Sequence, residues 1–201
     1  MDSIYGEYEP IMNEVLNDLH QRFNAINEKR RNETGEHFYE HIISRLKSDQ
    51  SMREKCRRKG LPENTQSALC DLRDAIGLRI VCSFIDDIYD LVALVRQFDG
   101  VEIIEEKDYI RHAKPNGYRS YHMILKVHPA SAAEMEISEF YVEMQLRTIV
   151  MDSWAALDHK MRYKKDIRNQ NMIEAELKRC ADELAGCDLS MQTIRDLIRQ
   201  S

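Results

Sequence analysis

Apolar residues at Ile4, Tyr8, Ile11, Val15, Leu19, Phe23 and Ile26 recur every three or four positions. That spacing puts them on one side of a helix, so residues 1–34 predict a long amphipathic helix with Ser3 available to cap it. Phe38, Ile42 and Leu46 follow at intervals of four and predict a second helix over residues 37–47. A third carries the basic run from Ser51 to Lys59, and Asn64 or Thr65 can start a short one ending at Leu72. The pattern then changes. Leu78 to Phe84 is β-rich and predicts a strand. Asp86 and Asp87 open a helix with Ile88, Leu91, Val95 and Phe98 on its apolar side, where acidic groups suit the positive end of the helix dipole. Residues 101–110 and 120–128 each contain a strand. From Ser138 to Arg147 the alternation is strict: Phe140, Val142, Met144 and Leu146 face one way, Tyr141, Glu143, Gln145 and Arg147 the other. A helix from Thr148 to Tyr163 follows, then a last one with Ile173, Leu177, Leu184, Met191, Ile194 and Ile198 along one side.

Helix-rich ends around a central run of strands predict an α+β fold, a mixed sheet of about five strands flanked by helices. The glycines and prolines are few and scattered, with no linker or repeat between them. The expectation is one domain: an N-terminal helix over 1–34, a core over 35–165 and a C-terminal helix over 166–201.

Composition narrows the class. At 201 residues, 43% hydrophobic and 32% charged, the chain suits one globular domain with a real core. No apolar stretch reaches the roughly 18 residues of a membrane span, and the acidic N-terminus lacks the basic region of a secretory signal. The five cysteines are odd in number and form no CxxC pair, so neither a disulfide framework nor a zinc site is expected, and a reducing cytoplasm is. Net charge is −6, yet basic residues cluster twice, from Arg45 to Lys59 and through Arg111, His112, Lys114, Arg119, His122 and Lys126. An acidic protein with two local basic clusters suits a small polyanion better than DNA. Solvated surface remains the alternative for each cluster.

Glu143, Gln145 and Arg147 line either a solvated strand face or a polar cleft; alternation alone allows both. Asp74 just before one strand and Glu143 on another can together hold Mg²⁺, which needs one or two carboxylates plus substrate phosphates. A turn cap is the other use of Asp74. In Lys114-Pro-Asn-Gly-Tyr-Arg-Ser-Tyr-His122, Asn-Gly favours a turn, after which Tyr118, Ser120 and His122 share a face suited to stacking a base and touching phosphate. No G-x-x-x-x-G-K-[ST], GxGxxG or GxSxG sequence exists, so phosphates must be held by Lys and Arg side chains.

Six stretches in order resemble the synthetase domain of the RelA/SpoT-type alarmone (ppGpp/pppGpp) synthetases, above all the stand-alone small ones. They are His41 to Ser48, Asp71 to Cys82, Lys107 to Ile110, Lys114 to His122, Val142 to Thr148 and Met151 to His159. The resemblance implies a nucleotidyltransferase-like core that moves pyrophosphate from ATP to the 3′-hydroxyl of GDP or GTP, with Mg²⁺. It implies that Arg45 and Arg79 sandwich adenine, that Lys47, Lys55 and Arg57 or Arg58, with Ser51 nearby, hold the ATP phosphates, and that Asp74 binds the metal. Glu143 would assist the metal and activate the hydroxyl, while Tyr118 stacks on guanine. Lys107, Lys114, Arg119, His122, Gln145, Asp152 and Ala156 would contact the acceptor. Asp152 stands where some members have asparagine, and Glu105-Glu-Lys-Asp108 mixes two versions of a motif tied to GTP or GDP preference. A homotetramer and an allosteric alarmone site are further implications, and neither an alarmone hydrolase domain nor a ribosome-sensing tail is expected. Two alternatives stay open: a toxic relative with an adenine nucleotide or tRNA as acceptor, and a non-catalytic nucleotide-binding scaffold.

Overall fold

Pro10 decides where the first helix begins. In this computed structural model, which describes residues 3–162 and 169–200, helix α1 spans Glu9–Thr34 with Pro10 in its first turn. A proline there gives up an N–H that has no helical partner anyway, while Gly6 at φ +53° turns the chain just upstream. Ser3 therefore does not cap α1. Its hydroxyl accepts from the Tyr5 N–H at 3.3 Å and donates to Glu9 at 2.9 Å. Ile11, Met12, Val15, Leu16, Leu19 and Phe23 form the buried stripe of α1.

The helix expected over 37–47 is instead a strand, β1, His41–Leu46. Intervals of four fit an even period as well as a helical one. Ile42 and Leu46 turn toward the core while His41, Ile43 and Arg45 stay exposed. Helix α2, Asp49–Lys59, starts on the Ser48 hydroxyl, which accepts from the Ser51 N–H, and ends at Gly60 in the left-handed region. The short helix expected after Asn64 forms, with its body wound as a π-helix, Ser67–Asp71, closed by Leu72 N–H on the Ser67 carbonyl at 3.0 Å; the Asn64 side chain accepts from the Ser67 N–H.

The remaining elements are β2 (Ile76–Cys82), α3 (Ile85–Val95), β3 (Val101–Asp108), β4 (Tyr121–Val127), β5 (Phe140–Thr148), α4 (Ile149–Arg162) and α5 (Gln170–Gln200). The expected end of α4 at Tyr163 lies outside the described residues, as does the expected boundary at 165/166. The five strands form one mixed sheet in the order β1-β2-β5-β4-β3, with only β2 and β5 parallel. The α+β expectation holds.

One sheet face builds the core. Leu78, Ile80, Met123, Leu125, Phe140, Val142, Met144 and Leu146 are at most 2% exposed and pack with the buried stripes of α1 and α3. Tyr8 meets Phe140, and Phe23 meets Phe98, as tilted ring pairs. Burying such a side chain contributes about 1.5–3 kcal/mol. A smaller cluster joins Trp154 of α4 to Leu177 and Ala181 of α5, with Tyr118, Ile173 and Leu184 at its margin. Met191, Ile194 and Ile198, expected on the packed side of α5, are exposed. Beyond that cluster α5 returns along the molecule, where Gln192 and Arg195 bond Asp86, and Arg199 pairs with Glu36. Among the described residues no helix is long and apolar enough to cross a membrane.

Candidate active site

The opposite sheet face is polar, and strand register arranges it in rows. Residues paired across neighbouring strands share a face about 4.8 Å apart. Arg45, Gly77, Glu143, Ile124 and Glu105 make one row across the five strands. The next row holds Ile43, Arg79, Gln145, His122 and Lys107, and a third brings Arg147 opposite Val81. Arg45 and Arg79 are thus diagonal neighbours, with Gly77 offering no side chain between Arg45 and Glu143. A cleft of about 60 Å³ opens between Glu105, Lys107, His122, Ile124 and Glu143. A cavity of about 240 Å³, between α1 and the β3–β4 edge, has Glu14, Asp18 and Arg22 in its lining and is the poorer match for phosphates.

Asp74 sits at the foot of β2, with a side chain 14% exposed. Its Oδ2 takes an ion pair from Lys47, just past β1, and another from Lys55 of α2 at 2.5 Å. Burial pushes the carboxyl pKa up, but hydrogen bonds from the two lysines outweigh it and hold Asp74 below the usual carboxylate value. Its Oδ1 is buried with no hydrogen-bond partner. An unmatched carboxylate oxygen is what a hard cation takes up, so Asp74 fits Mg²⁺. Among the described residues Glu143 accepts one hydrogen bond, from the Gln145 amide at 3.2 Å, and faces the charge of Lys107. Among the described residues no group of three or more metal-binding side chains exists. The donor set matches an ion that relies on one or two carboxylates and completes its shell with phosphate and water.

Around Tyr118 the charges and rings converge. Arg147 donates to the Tyr118 hydroxyl at 2.8 Å, to Gln145 at 2.9 Å and to Asp152 at 2.9 Å. The Tyr118 oxygen accepts from Arg147 and also meets His122 Nε2 at 2.8 Å. Burial first, then the charges of Lys114, Arg147 and Lys107, pull the His122 pKa down to about 3, so the ring is neutral. Lys114 lies 4.5 and 4.9 Å above the Tyr109 and Tyr118 rings. Asp152, at the start of α4, also meets Arg79 at 3.3 Å. Among the described residues the buried Nε atoms of Arg79 and Arg147 have no hydrogen-bond partner, and nor do buried nitrogens of Arg30, Arg119 and Arg195 away from this face.

Residues 44–168 match the region found in RelA/SpoT proteins. The chain belongs to the RelA/SpoT family. Within the family, GTP pyrophosphokinase YwaC of Bacillus subtilis is 36% identical over 97% of this chain and 95% of its own length. The structure of small alarmone synthetase 2 from Bacillus subtilis superposes with a TM-score of 0.79 at 36% identity, covering 92% of this chain and 95% of that one. Small alarmone synthetase 1 from Bacillus subtilis, bound to its product pppGpp, superposes with a TM-score of 0.81 at 27% identity, covering 93% and 94%.

The family fold gathers most of the residues singled out in the sequence. Arg45, Arg79, Lys107, His122, Glu143, Gln145 and Asp152 meet on the polar face, with Tyr118 and Lys114 at its margin and Asp74, Lys47 and Lys55 at its foot. Helix α2 sorts its own candidates: Ser51, Lys55 and Arg58 lie on one side at i, i+4 and i+7. Arg57 points elsewhere and pairs with Glu63 at 2.9 Å. Arg119 is drawn away from the face to Asp182 of α5, at 3.0 Å. Ala156 is exposed one turn beyond Asp152. Arg147 and Tyr109 were not among the binding candidates. The alternation of β5 already placed Arg147 beside Glu143 and Gln145, and Tyr109 lies inside the Lys107–Ile110 stretch.

Proposed function

We propose that this protein is a GTP/GDP pyrophosphokinase, transferring the β,γ-pyrophosphate of ATP to the 3′-hydroxyl of GDP or GTP to give ppGpp or pppGpp and AMP. The observation that carries it is a single sheet face uniting two arginines, a lysine-held carboxylate with an unmatched oxygen, a second carboxylate and an aromatic–cation cluster. The names of its relatives support the same activity.

Arg45 and Arg79 offer flat guanidinium faces to adenine. Lys47, Lys55 and Arg58, with Ser51 on the same side of α2, hold the ATP phosphates. Tyr118 stacks on guanine, Asp152 accepts from its N1 and N2, and Lys107, Lys114, His122 and Gln145 contact the rest of the acceptor. The 3′-oxygen attacks the β-phosphorus, its proton passes to Glu143, and the bond to the α-phosphate oxygen breaks so that AMP leaves. Asp74 and Glu143 would hold Mg²⁺, which would neutralise charge at the phosphates. Everything else is alignment, as in other phosphoryl transfers.

The same proposal extends to the assembly. Exposed Leu157, Met161, Leu189, Met191, Ile194, Leu197 and Ile198 on α4 and α5 support a homotetramer, in which an alarmone could bind between subunits. Five free thiols suit a reducing cytoplasm.

The test mixes purified protein with Mg²⁺, ATP and each of GDP, GTP, GMP or no acceptor, and separates the nucleotides by anion exchange. AMP formed in step with a more phosphorylated guanosine is the expected result. AMP with only an adenosine product, or turnover only with tRNA, would move the activity to the toxic relatives. No AMP with any acceptor would leave a scaffold.

A further inference from the structure

Arg147 is 6% exposed, on a strand face where Glu143 and Gln145 are only half-buried. A guanidinium so enclosed must find acceptors, since each unmet buried polar group costs about 1–3 kcal/mol. It finds them on three separate elements: Gln145 on its own strand, Tyr118 on the segment leading into β4, and Asp152 on α4. Its guanidinium carbon also lies 5.2 Å from the Tyr118 ring centroid. Each partner engages a further member of the site. Tyr118 holds His122, Gln145 donates to Glu143, and Asp152 meets Arg79.

We infer that Arg147 is the positioning residue of the acceptor-base subsite, setting Tyr118, Gln145 and Asp152 against one planar fork without touching the substrate itself. The inference rests on the pyrophosphokinase activity proposed above. Three groups on three elements would otherwise have independent rotamer freedom, and base recognition needs them fixed together. A fork with donors at fixed angles does this; a lysine, with one point charge on a flexible stem, does not. The contact with Glu143 through Gln145 also ties the acceptor base to the carboxylate that takes the hydroxyl proton.

The experiment uses the full chain with Arg147→Lys, which keeps the charge, and Arg147→Met, which keeps the volume. KM for GDP is measured at saturating ATP, KM for ATP at saturating GDP, and GDP binding by calorimetry, alongside thermal melts. Arg147→Lys should raise the GDP KM and Kd about tenfold or more, the loss of roughly one charge-assisted hydrogen bond, with the ATP KM within about threefold. Arg147→Met should be worse on the GDP side alone. An unchanged GDP KM, or both KM values rising together with a fall in Tm, would overturn the inference by making Arg147 a packing residue. If Arg147→Met does not fold, Arg147→Lys decides. If the wild type makes no AMP, the proposed activity fails, and calorimetry still decides this point: GDP bound equally by wild type and Arg147→Lys, or by neither, overturns it.

Discussion

Asp74 and Glu143 are both partly buried carboxylates, but their neighbours give them different work. Asp74 is neutralised by two lysines before any substrate arrives, whereas among the described residues Glu143 accepts from an amide and forms no ion pair. Glu143→Gln keeps the size and the Gln145 contact and removes the proton acceptor, so kcat should fall about 10²–10⁴-fold with an unchanged melting temperature. Equal loss of Tm and activity would show a structural role instead. Asp74→Asn should abolish Mg²⁺ dependence together with turnover. Because the Asp74 pKa is lowered on folding, the stability it contributes is present above the ordinary carboxylate value and lost as pH falls through its folded value. His122 behaves oppositely to a titrating catalytic histidine. With its pKa at about 3, the pH–rate profile should show no limb near 6.5 that disappears in His122→Asn; such a limb would mean that His122 is charged in the working enzyme.

At the scale of elements, α5 is locked to the segment around Gly117. Gly117 has φ +89°, and a Cβ there would come within 2.5 Å of the Ala181 Cβ. Nearby, Arg119 pairs with Asp182, and the Thr148 hydroxyl donates to buried Asp188 at 2.6 Å. Gly117→Ala should therefore cost about 1–3 kcal/mol and raise the acceptor KM more than the ATP KM. A variant with wild-type Tm and kinetics would show that the segment adjusts freely. The strands and long helices were legible because each repeats a single period over many residues. β1 was not, since Phe38, Ile42 and Leu46 satisfy two periods at once and only pairing with β2 decides between them. The site was legible in its residue types and less so in its geometry. Alternation put Glu143, Gln145 and Arg147 on one face, but whether that face is wet depends on register with β2 and β4 and on Asp152 and Tyr118, all distant in sequence. Nothing local to Arg119 announces that Asp182 will claim it.

At the scale of the molecule, two groups report on the whole fold. Asp87 is 2% exposed, and burial pushes its pKa up to about 6 against the pull of Arg30 and Arg195. A raised acid pKa means the protonated form is favoured on folding. Its stabilisation is full below 3.8 and is lost as pH rises to about 6, at about 1.4 kcal/mol per unit. Denaturation of wild type and Asp87→Asn across that window should show the wild type losing ground as pH rises; parallel curves would place the charge comfortably beside Arg30. The exposed apolar side of α5 should hold subunits together, so light scattering of Leu197→Glu should give a smaller mass than wild type. A wild-type monomer at micromolar concentration would remove the tetramer.

The two faces of the sheet divide labour by parity. On β5 the even positions from Phe140 to Leu146 are buried in the core and the odd ones lie on the polar face, and β2 and β4 continue the two faces in register. A sheet built this way separates two kinds of change. A substitution on the polar face alters side chains that the packed layer beneath does not touch, so it can be made with little cost to the core.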